Sequence, residues 1–110
     1  MTASALRRYP RIRAQHPVRV RELGDSAAEE FGATQAIGLG GCSFLSARRF
    51  TPGTLVELQI PLAGGMVCAD GRVAYALRLE GLEQEIGIEF LRVEPRHLDR
   101  IRSLFRRAHS

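Results

Sequence analysis

Period-two alternation of apolar and polar residues runs through most of the chain between residues 17 and 90. In "PVRVREL" Val18 and Val20 share one face, and Arg19 and Arg21 the other. "TLVELQIPL" groups Val56, Leu58, Ile60 and Leu62 against Glu57 and Gln59. "VCADGRVAYALRL" aligns Val67, Ala69, Gly71, Val73, Tyr75, Leu77 and Leu79, and "EIGIEF" aligns Ile86, Ile88 and Phe90. Such alternation predicts half-buried antiparallel strands. Two further segments, near 30–37 and 42–47, are apolar enough for strands but less regular. Glycine and proline mark the joins at Gly24, Gly40-Gly41, Pro52-Gly53, Gly64-Gly65 and Gly81, and Asp25-Ser26 reads as turn chemistry. Six strands at this spacing predict a mainly-β fold, a small closed antiparallel barrel, because closure removes exposed edges.

The period changes at Pro95. Leu98, Ile101, Leu104 or Phe105, and Ala108 recur at three- and four-residue steps, the stripe of a C-terminal helix over about 95–108. Proline suits a first helical turn, and Arg106, Arg107 and His109 fall where positive charge complements the helix dipole. The stripe is expected to lie on the barrel, with the helix arginines forming a solvated face.

At 110 residues the chain is the size of one domain, and its 45% apolar and 25% charged residues are ordinary for a globular protein. No apolar run reaches the roughly 18–20 residues that span a bilayer, and no secretory signal is visible. Cys42 and Cys68 lie far apart, outside any CxxC arrangement. They read as free thiols of a reducing compartment, so a cytoplasmic location is expected. His16, His97 and His109 show no metal-ligand spacing, and neither a GxSxG elbow nor a GK[ST] phosphate loop is present. A binding module without catalytic residues, metal or cofactor is expected rather than an enzyme.

Charge changes the picture more. Residues 1–21 hold six arginines and no acidic residue, residues 22–91 four arginines against ten acids, and residues 92–110 six arginines against two. Basic ends on an acidic body point to a local anion site rather than a basic coat. The strongest concentration is "LRRYPRIR" at residues 6–13. There Pro10 biases Tyr9 to an extended conformation, and Arg7 and Arg11, with Arg8 adjacent, can converge on one ligand. Guanidinium forks match phosphate oxygens and also hydrogen-bond to or stack on guanine. Charge alone equally describes a solvated basic tail.

Residue order separates these readings. "RRYPR" followed by "PVRV", Gly40-Gly41, "PGTLVEL" at 52–58, "GRVAY" at 71–75, "GIEF" at 87–90 and a terminal helix together resemble the PilZ domain family. The resemblance covers nearly the whole chain. It implies a six-stranded antiparallel β-barrel with a C-terminal α-helix, divided into a basic leader over 1–14 carrying the RxxxR motif and a barrel with its helix over 15–110. The implied ligand is cyclic di-GMP, gripped by Arg7, Arg8 and Arg11 at its phosphates and guanine edges. The family's second motif, (D/N)xSxxG, falls on "AIGLGG" at 36–41. Gly41 matches its final glycine, whereas Ala36 stands for the Asp or Asn and Gly38 for the Ser. Losing those two contacts costs about 2–4 kcal/mol, or about 30- to 1,000-fold in affinity.

Three functions stay open. The first is a cyclic di-GMP receptor of weakened affinity, whose arginine leader orders on the ligand and changes the surface shown to an unidentified protein partner. The second is a PilZ-like adaptor that no longer binds the dinucleotide. The third is a small nucleic-acid-binding barrel, which the acidic body and the scarcity of aromatic residues disfavour.

Overall fold

The computed structural model describes residues 11–24, 29–81 and 83–108. Its strands are β1 (Arg11–Arg13), β2 (Pro17–Glu22), β3 (Glu29–Gly38), β4 (Gly41–Ser46), β5 (Leu55–Leu62), β6 (Gly65–Arg78) and β7 (Gln84–Val93), followed by helix α1 (Pro95–Ala108). Strands β2 to β7 close an antiparallel barrel in the order β2-β5-β6-β7-β4-β3, with β3 pairing back onto β2. Strand β1 lies outside it. This is the expected six-stranded barrel with a C-terminal helix, plus one short strand.

Alternation builds the core directly. Val20 faces Leu58 across β2–β5, Leu58 faces Ala69 across β5–β6, and Val73 faces Ile88 across β6–β7. All are buried, with Val18, Val56, Ile60, Val67 and Ile86 beside them. In β4 Cys42 and Phe44 point inward, and Phe50 meets Phe44 edge-to-face at 6.0 Å. Ser46 shares that inward face, and Ser43 on the opposite face is buried too, so serines occupy buried positions on both faces of β4, which explains its poor alternation. Burial pushes the Cys42 thiol up to about 12, whereas Cys68 is exposed.

β-Bulges break the simple period. Between Thr34 and Ala36, β3 spends two steps against one step of β4, leaving Gln35 as the extra residue. Between Val73 and Tyr75, β6 does the same against β7, with Ala74 extra. On β7 the extra residue is Leu91, between the partners of Asp70 and Gly71. Each bulge switches the parity of the residues beyond it. Val73 is inside, Ala76 packs on the core, and Tyr75 turns outward. The seven-residue inward face expected for 67–79 therefore ends at Val73, and Leu77 and Leu79 are exposed.

Helix α1 packs on the barrel through His97, Ile101, Leu104 and Phe105. His97 is 7% exposed, and its Nδ1 lies 3.2 Å from both the amide nitrogen and the carbonyl oxygen of Cys68. The buried stripe thus begins at a histidine rather than at Leu98. Most helix arginines form the expected outer face, but Arg100 donates to the Met66 carbonyl at 2.5 Å, over the Gly64-Gly65 turn. No helix among the described residues is long and apolar enough to cross a membrane. Asp25-Ser26 and His109 lie outside the described residues.

What joins β1 to the barrel is Thr34, which is fully buried. Its hydroxyl donates to the Ala14 carbonyl and accepts from the His16 amide at 2.9 Å, while its own amide donates to the His16 carbonyl at 2.8 Å. The chain kinks at 14–16 and continues from β1 to β2 along one edge of β3. Thr34→Val keeps the shape but leaves a buried donor and acceptor unmatched, a loss of about 1–3 kcal/mol. Denaturant unfolding should show that loss with an unchanged m-value.

Candidate functional site

Strand β1 places the arginine segment directly on the second motif. Arg11 pairs with Gly38, Ile12 with Ile37 and Arg13 with Ala36. Residues two apart on a strand share a face, so Arg11 and Arg13 project together. The row continues across the barrel wall, with Ala36 facing Ser43, Ser43 facing Gly87, and Gly87 facing Tyr75. Glu85 lies two residues from Gly87 on the same strand face.

This row floors an open cleft of about 530 Å³. Arg11, Ile12 and Arg13 form one wall, Gln35, Ala36 and Ser43 the floor, and Tyr75 and Glu85 the far side. The bulges of β3 and β6 both contribute, one supplying Gln35 and the other turning Tyr75 toward the cleft. Gly87 is what lets the Tyr75 ring lie down. A Cβ at Gly87 would stand 2.0 Å from Tyr75 Cε2, so any larger residue lifts the ring.

Electrostatically the cleft is mixed. Arg19, Arg21, Arg48 and Arg72 are each paired with a glutamate elsewhere on the barrel. Among the described residues Arg11 and Arg13 have no ion pair, although Arg11 reaches the Tyr75 hydroxyl, so neither positive charge is neutralised by a carboxylate within the cleft wall. Tyr75 donates its hydroxyl to Glu85 Oε2 at 2.8 Å. Partial burial first, and then the Glu85 carboxylate, raise the Tyr75 phenol above its ordinary range, while Arg11 pulls it back down. Two cations for phosphate oxygens, an aromatic face for a base, and hydroxyl, amide and carboxylate groups for its edge suit an anionic ligand carrying an aromatic ring. No group of three or more His, Cys, Asp or Glu side chains that could hold a metal occurs among the described residues.

The structure places the residues picked out from sequence unevenly. Arg11 lines the cleft, and Ala36 lies on its floor opposite Arg13. Gly38 pairs with Arg11 across β1–β3 and Gly41 opens β4 opposite Glu89; both are buried and neither lines the cleft. None of Gly38, Gly40 and Gly41 has a positive φ, so the turn does not require glycine for its backbone conformation. Arg7 and Arg8 lie outside the described residues, as does the rest of the leader before Arg11; Arg11–Arg13 already pairs with β3. Sequence reasoning missed Arg13, Gln35, Ser43, Tyr75 and Glu85. Arg13 was readable as the same-face neighbour of Arg11 on an extended segment, but nothing in the alternation signals the bulge that redirects Tyr75.

The family profile described as PilZ domain matches residues 5–107. Among solved structures, the inhibitor of motility MotI/DgrA of Bacillus subtilis is similar at a TM-score of 0.75 and 17% identity, over 91% of this chain and 50% of that one. This chain thus spans about half the length of the Bacillus protein. The PilZ domain of YcgR from Escherichia coli, solved with c-di-GMP, is similar at a TM-score of 0.73 and 22% identity, over 92% of both chains. The PilZ domain of CeSA from a cellulose-synthesizing bacterium is similar at a TM-score of 0.65 and 20% identity, over 92% of this chain and 99% of that one. At these identities the likeness establishes the fold alone. No curated protein matches the chain in sequence.

Proposed function

The chain belongs to the PilZ domain family, and from that premise we propose that it is a cyclic di-GMP receptor module rather than an enzyme. The observation that carries this reading is the β1–β3 pairing, which sets Arg13 opposite Ala36 and Arg11 opposite Gly38. The arginine segment and the second-motif positions thereby meet at one cleft, although 23 residues or more separate them in sequence. Arg11 and Arg13, joined by Arg7 and Arg8 through the family match, grip the phosphates. The Tyr75 ring offers a stacking face for one guanine. Ligand binding then covers Arg11 and Arg13, which β1 already holds on β3, and so alters the charge and surface available to a protein partner.

Ala36 and Gly38 favour one alternative. Without the Asp or Asn and the Ser of the motif, the domain serves as a protein-binding adaptor that has lost the dinucleotide. Amide chemical shifts recorded during a cyclic di-GMP titration separate the two. The receptor reading expects saturable shifts centred on Arg11–Arg13, Gln35–Gly38, Ser43, Tyr75 and Gly87, with β5 and α1 quiet. The adaptor reading expects none.

A further inference from the structure

A carboxylate is out of place in a cleft that only holds phosphates. Glu85 nevertheless faces this one, across the floor from Arg13 and Ala36. It forms no direct ion pair among the described residues, although Arg11 acts on the same Tyr75 hydroxyl. One of its oxygens, Oε2, accepts from the Tyr75 hydroxyl at 2.8 Å, which fixes the carboxylate. The other oxygen has no partner among the described residues. Tyr75 in turn is seated on Gly87, where no side chain is tolerated. The anchor is therefore built by three residues, and what it presents is an acceptor for a ligand donor.

Guanine supplies such a donor. Its N1–H and its exocyclic amino group point the same way, and an ionised carboxylate accepts from both. A base stacked on Tyr75 has its edge within the same wall of the cleft. Ser43, 4% exposed and directly opposite Ala36, adds a hydroxyl to the floor. Resting on the receptor reading above, we propose that Glu85 is a specificity-determining residue that reads the Watson–Crick edge of guanine. Glu85, with Ser43 beside it, supplies from β7 and β4 the polar contacts that Ala36 and Gly38 no longer give from β3. The loss at the second motif is then compensated rather than left open.

The test separates this idea from the receptor reading. Affinities for cyclic di-GMP and cyclic di-IMP, which lacks only the exocyclic amino groups, are measured by calorimetry on the full chain and on Glu85→Gln. A hydrogen bond to a charged group contributes about 1.5–3 kcal/mol, so the native chain should prefer cyclic di-GMP by about 10- to 100-fold. In Glu85→Gln the amide can place a donor against the guanine amino group, and the preference should collapse toward one. A preference that survives Glu85→Gln overturns the inference alone, because guanine is then read elsewhere. No binding of cyclic di-GMP by the native chain overturns the receptor reading and this inference with it. If Glu85→Gln does not fold, Tyr75→Phe serves instead. It keeps the stacking ring and removes the anchor of Glu85, and should reduce the preference by about threefold or more. An unchanged preference in that variant equally overturns the inference.

Discussion

Restoring the two motif side chains, Ala36→Asp with Gly38→Ser, is expected to tighten cyclic di-GMP binding by about 30- to 1,000-fold, the equivalent of about 2–4 kcal/mol. The register makes this expectation specific. Position 36 lies on the cleft floor opposite Arg13, and position 38, on the same strand face, pairs with Arg11 at the edge of the cleft. Gly38 has no positive φ, so serine meets no backbone strain there. The aspartate introduced at position 36 would sit among Arg13, Ser43 and the ligand, in reach of both side chains. If Glu85 and Ser43 already compensate, the gain falls at the lower end of the range. No gain in a variant of native stability would mean full compensation by Glu85 and Ser43 if the native chain binds, and a cleft not shaped for guanine if it does not.

The second large effect is a loss. Arg11→Ala with Arg13→Ala removes both unpaired cations of the cleft. An exposed arginine–phosphate contact lies near the lower end of the charged range, about 1.5 kcal/mol each, so binding should weaken by about 100-fold or more. Neither residue touches the core, and both are exposed, so thermal stability should hold. The residual binding should also depend less on salt, since the grip that screening weakens has gone. Arg106→Ala, on the exposed face of α1, should change neither affinity nor its salt dependence. Equal losses from Arg106→Ala and the double variant would instead indicate diffuse attraction of a polyanion.

The barrel was legible because inward residues such as Val18, Val20, Leu58, Ile60, Ile86 and Ile88 keep strict parity, which burial on one face enforces. Beyond Val73 that logic misled. One extra residue at Ala74 flips the strand, so that Leu77 and Leu79 emerge and Tyr75 joins the cleft. A bulge changes hydrogen-bond register without changing composition, and leaves no mark in a period-two pattern. On the arginine side of the cleft, Arg11 was legible through charge density and motif spacing, although Arg13 was passed over. The far half was not, because Ser43, Tyr75 and Glu85 become neighbours of Arg13 only through the β3–β4, β4–β7 and β6–β7 pairings. His97 shows a similar limit. A polar residue holding the Cys68 backbone occupies a core position that an apolar stripe cannot predict.

The most direct measurement is a calorimetric titration of the native chain with cyclic di-GMP, run beside its linear product pGpG. Arginines converging from one strand, with a single stacking face opposite, suit a compact cyclic ligand whose phosphates are held close together. The account predicts saturable binding of cyclic di-GMP, tighter than that of pGpG and weakened by added salt. Absence of saturable heat up to about 1 mM ligand, a bound of about 4 kcal/mol on the binding free energy, would contradict it and leave the adaptor reading in its place.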